Sequence, residues 1–140
     1  MPDKANPQDK LILVIDDDES ICVYLKALFE LEGFRVDFCD NGQDGLSRVA
    51  KQKVDLIILD WMMPVLSGFE VLKLLQKDER HDIPVIVITA RVADESTTDM
   101  IRQEINVAGF FSKPIKHPEL LAQIHEILNT VPRPKGQKTA

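Results

Sequence analysis

Two short apolar runs in the sequence each end on aspartates. The first is Leu-Ile-Leu-Val-Ile followed by Asp16, Asp17 and Asp18, and the second is Leu-Ile-Ile-Leu followed by Asp60. Runs this short and this apolar are typical of parallel strands that are covered on both faces. In open α/β sheets the ligand crevice lies outside the carboxyl ends of the strands. The sequence therefore places these carboxylates where such a sheet would carry a functional site.

Apolar runs alternate with amphipathic stretches along most of the chain, which predicts strands alternating with helices. The predicted strands are residues 11–15, 35–38, 56–59, 85–89 and 109–111. The predicted helices are residues 20–32, 43–51, 68–77, 94–105 and 117–129. Gly33 is a typical stop for the first helix. This order favours right-handed βαβ units around a parallel sheet.

Composition limits the class of protein and its partners. The chain has 140 residues, of which 44% are hydrophobic and 29% charged, as expected for one domain with an ordinary core. Its net charge of −6 argues against direct binding to nucleic acid. The two cysteines do not suggest a disulfide framework, and reduced thiols favour a cytoplasmic protein. Because no apolar run approaches the roughly 18 residues of a membrane span, we expect no membrane partner.

The two ends of the chain differ in composition from its middle. Residues 1–9 are polar and contain two prolines, so we expect a disordered N-terminal segment there. Residues 131–140 combine prolines, a glycine and cations, which indicates a flexible tail or a truncated linker. The folded domain is therefore expected to cover residues 10–130.

Two further polar residues end predicted strands. Thr89 closes the fourth strand, and Lys113 follows the fifth and precedes Pro114. Each feature alone has an ordinary explanation, since an acidic run can serve a helix dipole and a lysine before proline is usually solvated. In a parallel sheet, however, all these strand ends lie on one edge. The combination is therefore much more informative than any single residue.

This combination resembles the receiver domains of bacterial response regulators, the CheY-like family of two-component signalling. The resemblance covers about residues 10–129 and rests on four short segments: Asp16-Asp17, Asp60-Trp61-Met62-Met63-Pro64 with Gly68 after it, Thr89-Ala90 and Lys113-Pro114. It implies a flavodoxin-like α/β fold, with a five-stranded parallel sheet of order 2-1-3-4-5 and five helices on both faces. It also implies a cis peptide bond before the proline of the last segment.

The same resemblance implies a role for each acidic residue and for the chain as a whole. Asp60 would accept a phosphoryl group from a sensor histidine kinase or a phosphotransfer protein. Asp16, Asp17 and Asp60 would hold Mg²⁺ or Mn²⁺, with the backbone carbonyl of Met62 as a further ligand. The chain would catalyse only its own phosphorylation and dephosphorylation. It would signal to a downstream protein partner or to a missing output domain.

The remaining site residues are implied to sense and transmit the phosphoryl group. Thr89 and Lys113 would contact it directly. Thr89 and Phe110 would act as the switch, passing the change to the face formed by helix four, strand five and helix five. Asn106 stands where the family usually has glycine after helix four, and we expect it to provide a left-handed helix stop.

Several loop segments look most similar to the OmpR/PhoB subgroup of this family. The activated dimer of that subgroup depends on two acidic residues before the aromatic of strand five and on an arginine in helix five. Here Ala108, Gly109 and Gln123 occupy those positions, so the charge pairs cannot form. We therefore expect no dimer of that kind.

Two other functions were weighed against the phosphoryl-accepting switch. The segment from Ile15 to Ser20 loosely resembles the first motif of haloacid dehalogenase-type phosphatases. No acidic pair follows Lys113, however, no inserted flap follows Asp18, and Asp60 would have no role. The other alternative is a receiver-like module that binds partners without being phosphorylated. The complete set of site residues argues against it.

Overall fold

The apolar runs form a single parallel sheet, and the amphipathic stretches form the helices around it. The computed structural model describes residues 3–77, 82–90 and 94–134. The strands are β1 (Leu11–Ile15), β2 (Arg35–Cys39), β3 (Leu56–Asp60), β4 (Val85–Thr89) and β5 (Val107–Ser112). The helices are α1 (Glu19–Leu31), α2 (Gly42–Lys51), α3 (Gly68–Lys77), α4 (Glu95–Arg102) and α5 (His117–Leu128). The strand order is β2-β1-β3-β4-β5, which confirms the expected flavodoxin-like topology.

The sheet separates two apolar cores, because successive side chains of a strand point to opposite faces. In β1, Leu13 and Ile15 belong to one core, whereas Ile12 and Val14 belong to the other. Helices α2, α3 and α4 cover the first core, and α1 and α5 cover the second. Both faces of the central strands therefore need apolar residues, which explains the uninterrupted runs in the sequence. Among the described helices, none is both long and apolar enough to cross a membrane.

Side-chain caps begin four of the helices, among them α3, where the Ser67 hydroxyl accepts a hydrogen bond from the Glu70 amide at 3.2 Å. Asp18 accepts a hydrogen bond from the Ser20 amide at 3.0 Å and starts α1. Asn41 and Asp94 cap α2 and α4 in the same way. In each β-α unit this capped helix start follows the carboxyl end of a strand. The caps therefore help to hold the loops at the edge of the sheet where the predicted site residues lie.

The end of α4 differs from the prediction. The helix stops at Arg102, well before residue 105, and Asn106 does not adopt a left-handed conformation. Its buried amide instead accepts a hydrogen bond from Gln76 Nε2 at 3.0 Å and donates one to the Ile83 carbonyl at 3.4 Å. The prediction of a left-handed stop at Asn106 is therefore wrong, because its side chain is used to bridge neighbouring segments. The glycine stop after α1 is confirmed, with a φ of 100° at Gly33.

The N-terminal segment packs on the domain, in contrast to the disorder expected for residues 1–9. Ala5 forms an isolated parallel bridge with Thr130, and residues Pro7–Asp9 form a 3-10 turn. The Arg35 side chain donates to the Gln8 carbonyl at 3.0 Å. Backbone hydrogen bonds to a distant part of the chain therefore order residues 3–9 despite their polar composition. Residues 1–2 and 135–140 lie outside the described residues, and the domain limits at 10 and 130 stay a prediction.

Candidate functional site

The parallel topology brings the predicted site residues to one edge of the sheet. Asp16 and Asp17 follow β1, Asp60 ends β3 and Lys113 follows β5. One carboxylate oxygen from each of the three aspartates lies within 4.8 Å of the others. The Lys113 ammonium lies 3.0 Å from Asp16 Oδ2 and 3.9 Å from Asp60 Oδ1. Three acids and one cation from distant parts of the sequence therefore form one cluster, which we call the acidic edge.

The residues of the acidic edge differ in burial, and burial shifts the pKa values of two of them. Asp16 and Asp60 are 0% and 3% exposed, whereas Asp17 lies in solvent. Burial and the neighbouring charge of Asp16 raise the pKa of Asp60 to about 7, although Lys113 opposes this effect. Burial acts to lower the pKa of Lys113, but its contact with Asp16 outweighs burial and raises that pKa above its ordinary value. The single ammonium of Lys113 therefore does not balance the negative charge of the acidic edge. A further cation would reduce the repulsion between its carboxylates.

The oxygen atoms of the acidic edge fit a hard divalent cation. Asp16 Oδ1 accepts a hydrogen bond from the Asp18 amide at 2.8 Å. Asp16 Oδ2 is buried and forms an ion pair with the Lys113 ammonium at 3.0 Å, but it accepts no hydrogen bond from the residues that the structure describes. A buried carboxylate oxygen without a hydrogen-bond donor is the type of atom that Mg²⁺ or Mn²⁺ prefers. The Met62 amide lies 3.4 Å from Asp60 Oδ1, so this residue borders the cluster, while the ligand role of its carbonyl stays a prediction.

The loop after Asp60 is folded tightly against the acidic edge. The Gly68 amide donates to the Trp61 carbonyl at 3.1 Å, which closes the loop. A Cβ atom at Gly68 would lie 2.5 Å from the backbone oxygen of Asp60, so only glycine permits this approach. Val65 has a positive φ of 68° at the tip of the loop, an unusual conformation for a β-branched residue. The sequence includes Gly68 in the resemblance to receiver domains, but it does not indicate that this glycine supports the backbone of Asp60.

The two predicted switch residues lie on neighbouring strands next to the acidic edge. Thr89 is buried, and its carbonyl accepts a hydrogen bond from the Lys113 amide at 2.8 Å. Phe110 pairs with Val87 in the sheet and is half-buried against the core under α2, α3 and α4. The Arg102 guanidinium lies 5.8 Å from the centre of its ring, within the range of a cation–π contact. The peptide bond between Lys113 and Pro114 is cis, as expected, while the roles of the site and switch residues stay predictions.

The positions that carry charges in the OmpR/PhoB subgroup form an uncharged contact here. Gln123 Nε2 donates to the Ala108 carbonyl at 2.8 Å. A Cβ atom at Gly109 would lie 2.7 Å from Gln123 Oε1, so the small residue makes room for this amide. The absence of the subgroup's dimer remains a prediction.

A second polar cluster lies at the opposite edge of the sheet and was not identified from the sequence. His125 Nε2 lies 2.9 Å from Glu32 Oε1, and His125 Nδ1 lies 2.8 Å from Thr130 Oγ1. An ionised glutamate only accepts hydrogen bonds, so Nε2 is the donor to Glu32, while Nδ1 and the Thr130 hydroxyl share the second hydrogen bond. Glu32 and His125 are 93 residues apart, and no local motif signals their contact. We call these three residues the histidine cluster.

Comparison with known proteins agrees with the observed fold. The family described as response regulator receiver domain matches residues 12–125. The uncharacterized transcriptional regulatory protein YkoG of Bacillus subtilis is 38% identical over 128 residues, which cover 91% of this chain and 53% of YkoG. The phosphate regulon transcriptional regulatory protein PhoB of Rhizobium meliloti is 35% identical over 118 residues, covering 84% and 51% of the two chains. The chain thus spans about half the length of these relatives.

Solved structures show the same fold. The receiver domain of the Francisella response regulator 1452 is 28% identical and has a TM-score of 0.76, with 85% of this chain and 96% of that chain covered. The response regulator TrrA of Thermotoga maritima, solved in complex with Mg²⁺ and beryllofluoride, is 30% identical with a TM-score of 0.74 and covers 85% and 99%. The relatives are of the OmpR/PhoB type, and the structural neighbours are CheY-like. This chain therefore belongs to the response regulator receiver domains of two-component systems.

Proposed function

We propose that this receiver domain is a phosphoryl-accepting switch, in which Asp60 takes a phosphoryl group from a histidine kinase or a phosphotransfer protein. The observation that carries this proposal is the acidic edge itself. Asp60 is clustered with Asp16 and Asp17 within 4.8 Å, and Lys113 Nζ lies 3.9 Å from its carboxylate. A nucleophilic carboxylate with cationic groups around it is the arrangement that aspartyl phosphate formation needs.

The chemistry follows from the groups around Asp60. Its carboxylate oxygen forms a bond to phosphorus while the phosphorus–nitrogen bond of the donor phosphohistidine breaks and the imidazole leaves with a proton. Such transfers depend mainly on positioning and on neutralising negative charge. Lys113 lies close enough to meet the oxygens of the incoming group. Attack of water on the acyl phosphate reverses the modification, so the chain acts only on its own phosphorylation state.

A divalent cation completes this site in our proposal. Asp16, Asp17 and Asp60 would hold Mg²⁺ or Mn²⁺ together with the carbonyl of Met62. The cation supplies positive charge that carboxylate and phosphoryl oxygens share. The buried Asp16 Oδ2, which accepts no hydrogen bond within the described part of the chain, supports this assignment. So does the Mg²⁺–beryllofluoride complex of the similar regulator TrrA.

The output of the switch is proposed to run through β4 and β5. The Thr89 hydroxyl would donate a hydrogen bond to the phosphoryl group. The ring of Phe110 would then change position and so change the surface formed by α4, β5 and α5. The curated relatives are named transcriptional regulatory proteins and are about twice as long as the region they share with this chain. This supports signalling to an output domain or to a separate protein. We place the chain in the cytoplasm, and its net charge of −6 argues against direct contact with nucleic acid.

Intact-mass spectrometry tests the assignment of Asp60. Incubation with acetyl phosphate and Mg²⁺ should add one phosphoryl group to the wild-type chain and none to Asp60→Asn. Asp40→Asn is a matched control, because Asp40 is an exposed aspartate just beyond the carboxyl end of β2 and outside the cluster. This control should be labelled like the wild type. Equal labelling of Asp60→Asn, or no labelling of the wild type, would contradict the proposal.

A further inference from the structure

The histidine cluster holds the point where the chain leaves the domain. Thr130 follows α5, is 1% exposed, and uses its hydroxyl to contact His125. His125 is fixed in turn by Glu32, the residue that follows α1, and its ring lies 5.1 Å from that of Phe34. The exit of the chain is therefore anchored to the end of α1 through the buried side chains of Thr130 and His125 and the half-buried carboxylate of Glu32.

The N-terminal segment closes over the same exit. The Ala5 amide donates to the Asn129 carbonyl at 2.9 Å, and the Val131 amide donates to the Ala5 carbonyl at 3.1 Å. The segment is itself held in place, since the Arg35 side chain donates to the Gln8 carbonyl and the Arg35 amide donates to the Lys10 carbonyl. Residues 129–131 therefore lie between two anchors, the histidine cluster on one side and residues 3–9 on the other.

We propose that residues 3–9 are a strap that fixes the direction in which the chain leaves the receiver domain after α5. Neither the strap nor residues 129–131 fall within the family match, which covers residues 12–125. The strap also lies at the opposite edge of the sheet from Asp60. It therefore orients whatever follows residue 134 without contacting the groups that handle the phosphoryl group, and this inference does not depend on the proposed function.

Two substitutions of Ala5 distinguish the effect of its backbone hydrogen bond from the effect of simply having residues 3–9 in the chain. Ala5→Pro removes the amide that donates to Asn129 and keeps the segment in the chain. Ala5→Gly keeps the amide and serves as the matched control. Deletion of residues 1–6 removes the bridge completely. None of these changes touches a residue of the acidic edge or of the two cores.

The direction of the exit can be measured by spin labelling. Labels at Ser47→Cys on α2 and Pro134→Cys report the distance between the domain and the exit, and both positions are exposed. The natural Cys22 and Cys39 are buried, and burial raises the pKa of Cys22 to about 12, so they react slowly with labelling reagents. Amide hydrogen exchange of Val131 gives an independent readout, and exchange in β1 monitors the fold.

The strap predicts a narrow distance distribution in the parent chain and in Ala5→Gly. In Ala5→Pro and in the deletion, the distribution should broaden about twofold or more, and the Val131 amide should exchange at least about tenfold faster while β1 is unchanged. Unchanged widths and exchange rates in both variants would overturn the proposal. Faster exchange throughout β1 as well as at Val131 would also overturn it, because the segment would then be a general stabiliser of the domain.

Discussion

The polar clusters at the two edges of the sheet differ in how well their buried polar groups are paired. Among the residues that the structure describes, the three carboxylates of the acidic edge share one ammonium, and the buried Asp16 Oδ2 accepts no hydrogen bond. At the other edge, both ring nitrogens of His125 have partners within 2.9 Å, namely Glu32 and Thr130. The same fold thus contains one polar cluster that is incomplete by itself and one that is complete.

This difference separates a site of chemistry from a site of structure. Buried polar groups with all their partners stabilise and orient the segments that carry them. Buried like charges without enough partners oppose folding, and they persist where a ligand completes them. Both clusters contain titratable residues, so residue type alone would not distinguish their roles.

The largest effect is expected from breaking the complete cluster. His125→Ala leaves Glu32 and Thr130 without their partner and opens a cavity beside Phe34. We expect a loss of about 2–4 kcal/mol in the free energy of unfolding, measured by urea denaturation. Glu32→Gln is the matched control, because its amide oxygen can still accept from Nε2, and it should lose less than about 1 kcal/mol. A loss below that limit for His125→Ala would show that the cluster contributes little.

Substitution in the acidic edge should raise the free energy of unfolding, whereas substitution in the histidine cluster lowers it. Asp60→Asn removes a carboxylate whose charge is disfavoured by burial and by Asp16. Because the pKa of Asp60 in the folded chain is raised to about 7, ionisation lowers wild-type stability as the pH rises from about 4 through 7. At pH 8 without divalent cations, the variant should therefore be more stable than the wild type by about 1–3 kcal/mol. Equal stability of the two proteins at pH 8 would mean that the carboxylates do not oppose folding.

A divalent cation should remove much of this disadvantage. At a Mg²⁺ concentration ten times its dissociation constant, the wild type should gain about 1.4 kcal/mol by binding linkage. Asp17→Asn should gain clearly less, and because Asp17 is exposed, its substitution should leave the fold intact. Thermal unfolding with and without Mg²⁺ measures both gains. A similar gain in the two proteins would place the cation elsewhere.

The smallest effect is expected in the fluorescence of Trp61, the one tryptophan of the chain. It follows Asp60 directly and lies edge-on to Phe69, with 5.8 Å between the ring centres. Binding of Mg²⁺ next to Asp60 should change its emission in the wild type and in Glu32→Gln, which alters only the opposite edge. The change should be clearly smaller in Asp17→Asn at the same Mg²⁺ concentration. A response lost in Glu32→Gln as well would show that the two edges are coupled.

Local sequence signals were sufficient for most of the sheet and for the acidic edge. The apolar runs predicted the observed limits of β1 and β4, and strand ends that carry polar residues predicted which side chains would meet. β5 was predicted too short, at 109–111, because Ala108 has little preference for strands and separates Val107 from the predicted run. The run gave no sign that pairing with β4 would extend it to Val107–Ser112.

The histidine cluster and the strap could not be predicted in this way. Their contacts join residues from opposite ends of the chain, such as Glu32 with His125 and Ala5 with Thr130. The strap is held mainly by backbone hydrogen bonds, which any residue except proline can make as a donor. A polar, proline-containing segment therefore carries the composition of a disordered end while its backbone is ordered by the fold.

The contact between Gln123 and Ala108 also bears on whether β5 can pair with a strand of another molecule. β5 is an outer strand of the sheet, and the unpaired carbonyl and amide groups of such a strand can template the addition of a strand from another chain. The Gln123 side chain occupies the carbonyl of Ala108 with an amide from the same molecule. An uncharged residue on α5 thus occupies one of the groups with which a strand of another chain could pair at this margin of the sheet.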